Sequence, residues 1–294
     1  MPRVHPELPA MKIGFYTSTF GDQPIEAVLD FAAEACFDAI EIDIGRHVGK
    51  PERVSQVAEL ARARGLFISS FVLFGGQLTE AAAQQAAFRN LTRDFAIALA
   101  EAHVPVFVLF GGLDANRSEE ENYHSLAEQG ASLLDATENS GLQFAIENWP
   151  GPDDRFVAVT PEGWRKLFDL LPDDRFGLEL DPSHLVRLGI DPLRALDAVH
   201  KRVKILHAKD AAIDSERLQA VGYAGLGWWR YTLPGTGLVD WSGFLGRARG
   251  YGFDGTLSIE HEDVAFGWPT GDLGKRRIGE RQSLNFLRNL IRNL

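Results

Sequence analysis

FGLELDPSHLVRLGIDPLRALDAVHKRVKILHAKD, residues 176–210, contains one complete unit of the fold. An apolar run over 176–180 ends at Asp181. Asp191 and Pro192 then supply a cap and a first-turn proline for a helix predicted over 192–200, and a second apolar run over 203–207 closes on His207. Strand, helix and strand in that order make a parallel pair, because a crossover helix returns the chain to the end where the first strand began.

The same alternation extends in both directions. Strands are predicted at 13–16, 39–42, 67–72, 106–110, 143–147, 176–180, 203–207 and 256–260, and helices over 24–36, 51–64, 82–102, 118–140, 161–171, 192–200, 241–250 and 275–292. Eight such strands are the number that closes a barrel, so the expected architecture is α/β, a (β/α)8 TIM barrel. A single domain is expected over 12–294, behind an N-terminal extension of residues 1–11. Thr160-Pro161 repeats the cap-and-proline signal, while Gly65, Gly141 and Gly252 stand where helices end before strands. The longest stretch without periodicity, 208–240, carries GYAGLGWWRYTLPGTG and follows the seventh strand. In a barrel it lies over the active-site face, as a lid or substrate wall.

Composition narrows the partners. The chain has 294 residues, 45% hydrophobic and 24% charged, as soluble globular proteins do. Its net charge of −11 repels nucleic acid and anionic membrane surfaces, so neither is an expected partner. The single cysteine, Cys36, has no internal partner and falls in an apolar helical pattern, which predicts a buried helix position. The opening MPRVHPELPA has no secretory pattern and no run approaches the roughly 18 apolar residues of a membrane span, so a cytoplasmic location is expected.

The chemistry sits at strand ends. AIE at Glu147, LELD at Asp181, KILH at His207 and LSIE at Glu260 each end a strand, or directly follow one, with a group that binds hard or borderline cations. In a parallel barrel those ends share one mouth. Three carboxylates converging without a cation would repel and raise one another's pKa, so one divalent metal ion is expected: Mn²⁺ first, with Mg²⁺, Co²⁺ or Zn²⁺ also suited to this donor set.

FAIENWPG at 144–151, LELDPSHL at 178–185, ILHAKD at 205–210, LPGTGLVDW at 233–241 and LSIEHED at 257–263 make the chain resemble the xylose isomerase-like superfamily of sugar isomerases and epimerases, over roughly residues 12–287. The resemblance implies that Glu147, Asp181, His207 and Glu260 are metal ligands, that Glu147 and Glu260 are also the catalytic acid and base, and that His184 meets the substrate's reacting oxygens. A cation that binds a ketone oxygen and its neighbouring hydroxyl makes the α-hydrogen acidic and holds the cis-enediolate. One glutamate then removes a proton and the other returns one, giving epimerisation or aldose–ketose exchange. Lys209 and Asp210 are expected to touch a substrate oxygen or to support His207; Arg230 could reach a sugar hydroxyl or carboxylate; Trp149, Trp228 and Trp229 could stack on a sugar ring.

The superfamily's DNA-repair endonucleases carry extra histidine ligands at the third and fourth strand ends. Here those ends read FVLFGG (71–76) and VLFGG (108–112), so a trinuclear zinc site is not expected, nor is the second metal cluster of true xylose isomerases. The glycine pairs suggest room for substrate more than phosphate binding. Glu41 and His47 could line the same mouth, while His103, His124, His200 and His261 read as surface or structural. The leading expectation is an isomerase or epimerase of a sugar, keto-sugar or glycoside with a small carbohydrate as its partner, in a chain that could form a homo-oligomer. A keto-polyol dehydratase and a non-catalytic sugar-binding barrel are the alternatives.

Overall fold

The computed structural model describes residues 11–75, 82–151 and 156–294, with only the backbone of 82–84. Nearly all of the expected N-terminal extension, and Gly76 of the first glycine pair, lie outside the described residues.

Eight parallel strands form a nearly closed barrel with helices between them: β1 Lys12–Phe15, β2 Ala39–Asp43, β3 Phe67–Val72, β4 Val106–Phe110, β5 Gln143–Glu147, β6 Phe176–Leu180, β7 Val203–Ala208 and, after the hairpin β8 Asp210–Ile213 and β9 Trp229–Thr232, β10 Thr256–Ile259. The pairing order is β1-β10-β7-β6-β5-β4-β3-β2. Closure between β1 and β2 rests on one bridge, Tyr16 with Glu41, and on the Asp38 amide donating to the Ile13 carbonyl at 2.9 Å.

Strands of a parallel barrel are covered on both faces, which is why β2, β4 and β6 are buried at every position. Their outward side chains, such as Phe107 and Phe144, pack under the helices, where Trp164 is fully buried. Inside, Val72, Val106, Val108, Ala145 and Ile205 fill part of the barrel. A polar group of Glu41, Ser70, Glu179 and Ser258 is buried there as well. Gly177 is required where β6 meets the turn into β7, since a Cβ there would lie 2.0 Å from the Arg202 carbonyl oxygen.

Two sequence expectations are corrected and one element is added. Residues 208–240 are not irregular: β8 and β9 pair antiparallel around a helix at Ser215–Val221. A short helix, Pro182–Arg187, follows β6 directly. Cys36 is exposed, with φ of 64°, because the helix stops at Glu34 and the chain must turn left-handed to reach β2.

Candidate metal centre

Four strand ends meet at the mouth. Glu147 is the last residue of β5 and His207 the next to last of β7; Asp181 and Glu260 follow β6 and β10 immediately. All four are buried, and one donor atom from each lies within 4.8 Å of all the others. His207 Nδ1 is 3.0 Å from Glu260 Oε2, 3.4 Å from Glu147 Oε1 and 3.9 Å from Asp181 Oδ2. Asp181 serves twice. Its Oδ1 caps the following helix by accepting from the Ser183 amide at 2.7 Å, which turns Oδ2 toward the cluster. Asp181 Oδ2 and His207 Nδ1 are buried without a hydrogen-bond partner among the described residues. Two orphaned donors within a set of three carboxylates and one imidazole fit a divalent cation.

The surroundings fix the charges. Burial opposes ionisation of Glu147, but His184 and His207 outweigh it and hold the carboxyl well below the usual range. Burial likewise opposes ionisation of Asp181, and His184, Lys209 and His207 overturn it. Burial works against a charged His207, yet Glu179, Glu260 and Glu41 raise it well above an ordinary histidine. For Lys209, Glu260, Glu262 and Asp181 overcome burial in the same way.

Around this centre, His184 and Lys209 form a bridge. His184 Nε2 lies 3.2 Å from Glu147 Oε1 and 3.4 Å from Asp181 Oδ2, and its Nδ1 is 2.8 Å from the Tyr231 hydroxyl. Lys209 Nζ is 2.6 Å from Glu260 Oε2, 3.3 Å from Asp181 Oδ2 and 3.1 Å from Glu262 Oε2, beneath the Tyr231 ring at 4.6 Å. Tyr231 and Glu262 were not read from the sequence. Tyr231 becomes visible once 229–232 is treated as a strand, because Trp229 and Tyr231 then share a face and Arg230 takes the other.

The remaining sequence candidates lie outside the four-residue cluster. Arg230 is exposed on that other face of β9. The Asp210 carboxylate is spent inside the loop, accepting at 3.0 Å from the amides of Gly235 and Val239 and from Trp241 Nε1. Trp149 packs with Phe74, Phe110 and Phe156, its ring 5.2 Å from that of Phe74. Trp228 is buried within its own loop, and the Arg187 guanidinium lies 4.3 Å from the centre of the Trp229 ring. His47 is buried against Thr17. His261 is buried too, its amide-facing Nδ1 accepting from Asp263, and burial lowers it to about 4.

A cavity of about 500 Å³ opens over the centre, lined by Tyr16, Asp43, Arg46, Phe74, Glu260 and Glu262 among others. It is large enough for a small ligand.

Known proteins share this architecture. A family model described as a xylose isomerase-like TIM barrel matches residues 29–290. YfiH of Bacillus subtilis (strain 168), an uncharacterized protein, is 22% identical over 299 residues, covering 86% of this chain and 93% of its own. The inosose dehydratase of Lacticaseibacillus casei is 28% identical over 147 residues, 49% of this chain and 48% of that enzyme, so the match spans about half of either. A crystal structure of D-psicose 3-epimerase in the presence of D-fructose superposes with a TM-score of 0.73 over 96% of this chain and 99% of its own, at 16% identity. At that identity the likeness is one of fold.

Proposed function

We propose a divalent-metal-dependent sugar isomerase or epimerase activity for this chain, which belongs to the xylose isomerase-like TIM barrel family. The convergence of Glu147, Asp181, His207 and Glu260 within 4.8 Å, two of them with orphaned buried donors, carries the reading. The fold shared with D-psicose 3-epimerase supports a carbohydrate substrate. When bound by those four residues, a divalent cation supplies Lewis-acid polarisation of a carbonyl and its neighbouring hydroxyl.

The chain's own groups then move protons. One of Glu147 and Glu260 takes the proton from the carbon beside the carbonyl, and the other returns one. Return to the same carbon from the opposite face inverts it, and return to the adjacent carbon exchanges ketose and aldose. His184 and Lys209, 3.3 Å apart at Nε2 and Nζ, hold the reacting oxygens by donating to them. The Tyr231 hydroxyl fixes the His184 ring, and the β8–β9 hairpin lays the Tyr231 ring over Lys209.

A panel of keto-sugars in D₂O with Mn²⁺, followed by NMR, tests the reading. Deuterium should enter at the carbon beside the carbonyl of at least one sugar. If the protein binds Mn²⁺ and no keto-sugar exchanges, proton abstraction is not its chemistry. A second reading draws on the half-length match to inosose dehydratase, with elimination of a β-hydroxyl in place of proton return. A product lighter by one water identifies it.

A further inference from the structure

Directly beneath the ligand set lies a second buried group that metal coordination alone does not require. Register places Ser258 beside His207 and Glu41 beside Ser70, and Glu179 stands two residues before Asp181 on the same face of β6. Glu41 and Glu179 are both 0% exposed. His207 Nε2 is 3.1 Å from Glu41 Oε2 and 3.2 Å from Glu179 Oε1. The other oxygen of Glu41 is taken by the Ser70 hydroxyl, which donates to Oε1 at 2.7 Å.

An imidazole that gives a lone pair to an ion at one nitrogen carries its proton on the other. The Glu41 carboxylate, its other oxygen taken by Ser70, accepts at the Nε2 side, which leaves Nδ1, the nitrogen that faces Glu147, Asp181 and Glu260 and has no hydrogen-bond partner among the described residues, as the lone-pair donor. We propose that Glu41, with Glu179 beside it, is a positioning residue that holds His207 as its Nε2–H tautomer and aims Nδ1 at the metal. The inference rests on the four-ligand reading given above and extends it one layer down the barrel. Ser70 locks the carboxylate of Glu41, so the orientation is set before an ion arrives.

The same three residues, Glu41, Glu179 and His207, have donor atoms close enough to one another to suggest a second ion. Stoichiometry separates the two possibilities. The purified full-length protein, stripped with chelator, is titrated with Mn²⁺ by calorimetry. One ion per chain is expected, and two per chain overturn the positioning role. Binding of none by the wild type sinks the four-ligand reading and this inference together.

Glu41→Ala should weaken Mn²⁺ binding about 10- to 100-fold, the usual consequence of removing the partner behind a ligand histidine, and Glu41→Gln, which keeps an acceptor, should recover most of it. Unchanged affinity in folded Glu41→Ala overturns the inference while leaving the four ligands standing. Should that variant fail to fold, ¹⁵N-histidine NMR of the Mg²⁺-loaded wild type decides: His207 protonated at Nε2 and bare at Nδ1 supports the proposal, and the reverse tautomer refutes it.

Discussion

The rim of the barrel is divided in two. Over β5, β6, β7 and β10 it carries Glu147, Asp181, His207 and Glu260, backed by His184 and Lys209, all buried. Over β3 and β4 it carries Phe74, Phe110 and the neighbouring Trp149 and Phe156, and Phe74 is 55% exposed although its ring sits 5.0 Å from that of Phe110. Both halves border the space above the centre, since Phe74 and Glu260 line one cavity. The division separates two tasks. Titratable groups gather on one side of the rim, and on the proposed reading a cation would balance them there while the aromatic side would meet the apolar face of a substrate.

Removing a charge from the first half should have the largest effect. Glu260→Gln keeps the shape of the side chain and removes its capacity to carry a proton, so deuterium exchange should fall about 10²- to 10⁴-fold. Survival of exchange in that variant would dissolve the division, because the chemistry would then lie elsewhere. Next in size is the response to the ion itself. Mn²⁺ at about 100 times its dissociation constant should stabilise the protein by about 2.7 kcal/mol, read as a higher thermal midpoint that chelator reverses.

Acidity sharpens the picture further. Metal-free His207 holds its proton at neutral pH, because its folded value lies well above the ordinary one, whereas Glu147 and Asp181, both lowered, have already lost theirs. An entering ion must therefore displace about one proton, and affinity should rise with pH by up to about tenfold per unit until His207 titrates unaided. The sign for stability of the metal-free form is the opposite. A raised histidine stabilises below its unfolded value and loses that contribution as pH climbs through the folded one. Calorimetry in buffers of different ionisation heat counts the proton.

The smallest effect belongs to the aromatic half. Phe74→Ala removes one ring contact, about 0.5–1.5 kcal/mol, and should raise KM up to about tenfold with kcat and Mn²⁺ affinity unchanged. A fall in kcat of the same size would show that the wall takes part in the chemistry and that the rim has one function, not two.

Much of this was legible in the sequence because the parallel barrel converts a local signal into a global one. Each strand announces its own end, and the fold guarantees that those ends meet, so side chains as far apart as Glu147 and Glu260 could be grouped without knowing any contact. The hairpin was not legible. Asp210–Ile213 and Trp229–Thr232 are short, separated by a helix, and seated through the contacts of Tyr231 and Trp229 with His184 and Arg187. Glu41 was placed at the mouth with His47, one layer too high. Two-residue alternation offers the correction, since Asp43 occupies the upper position on β2 and Glu41 the one below, as Asp181 and Glu179 do beside β6.

The pairing of β1 with β10, Lys12 beside Thr256, has a consequence for how the chain is made. β1 has β2 close behind it in the chain, but the strand with which it is in register, β10, follows more than two hundred residues later. Until then Ile13 and Phe15 have β2 and the helix before it for shelter, but not the strand with which β1 is in register. Closing the barrel thus depends on a late docking of two strands distant in sequence, the kind of contact whose loop-closure entropy must be met before it stabilises anything.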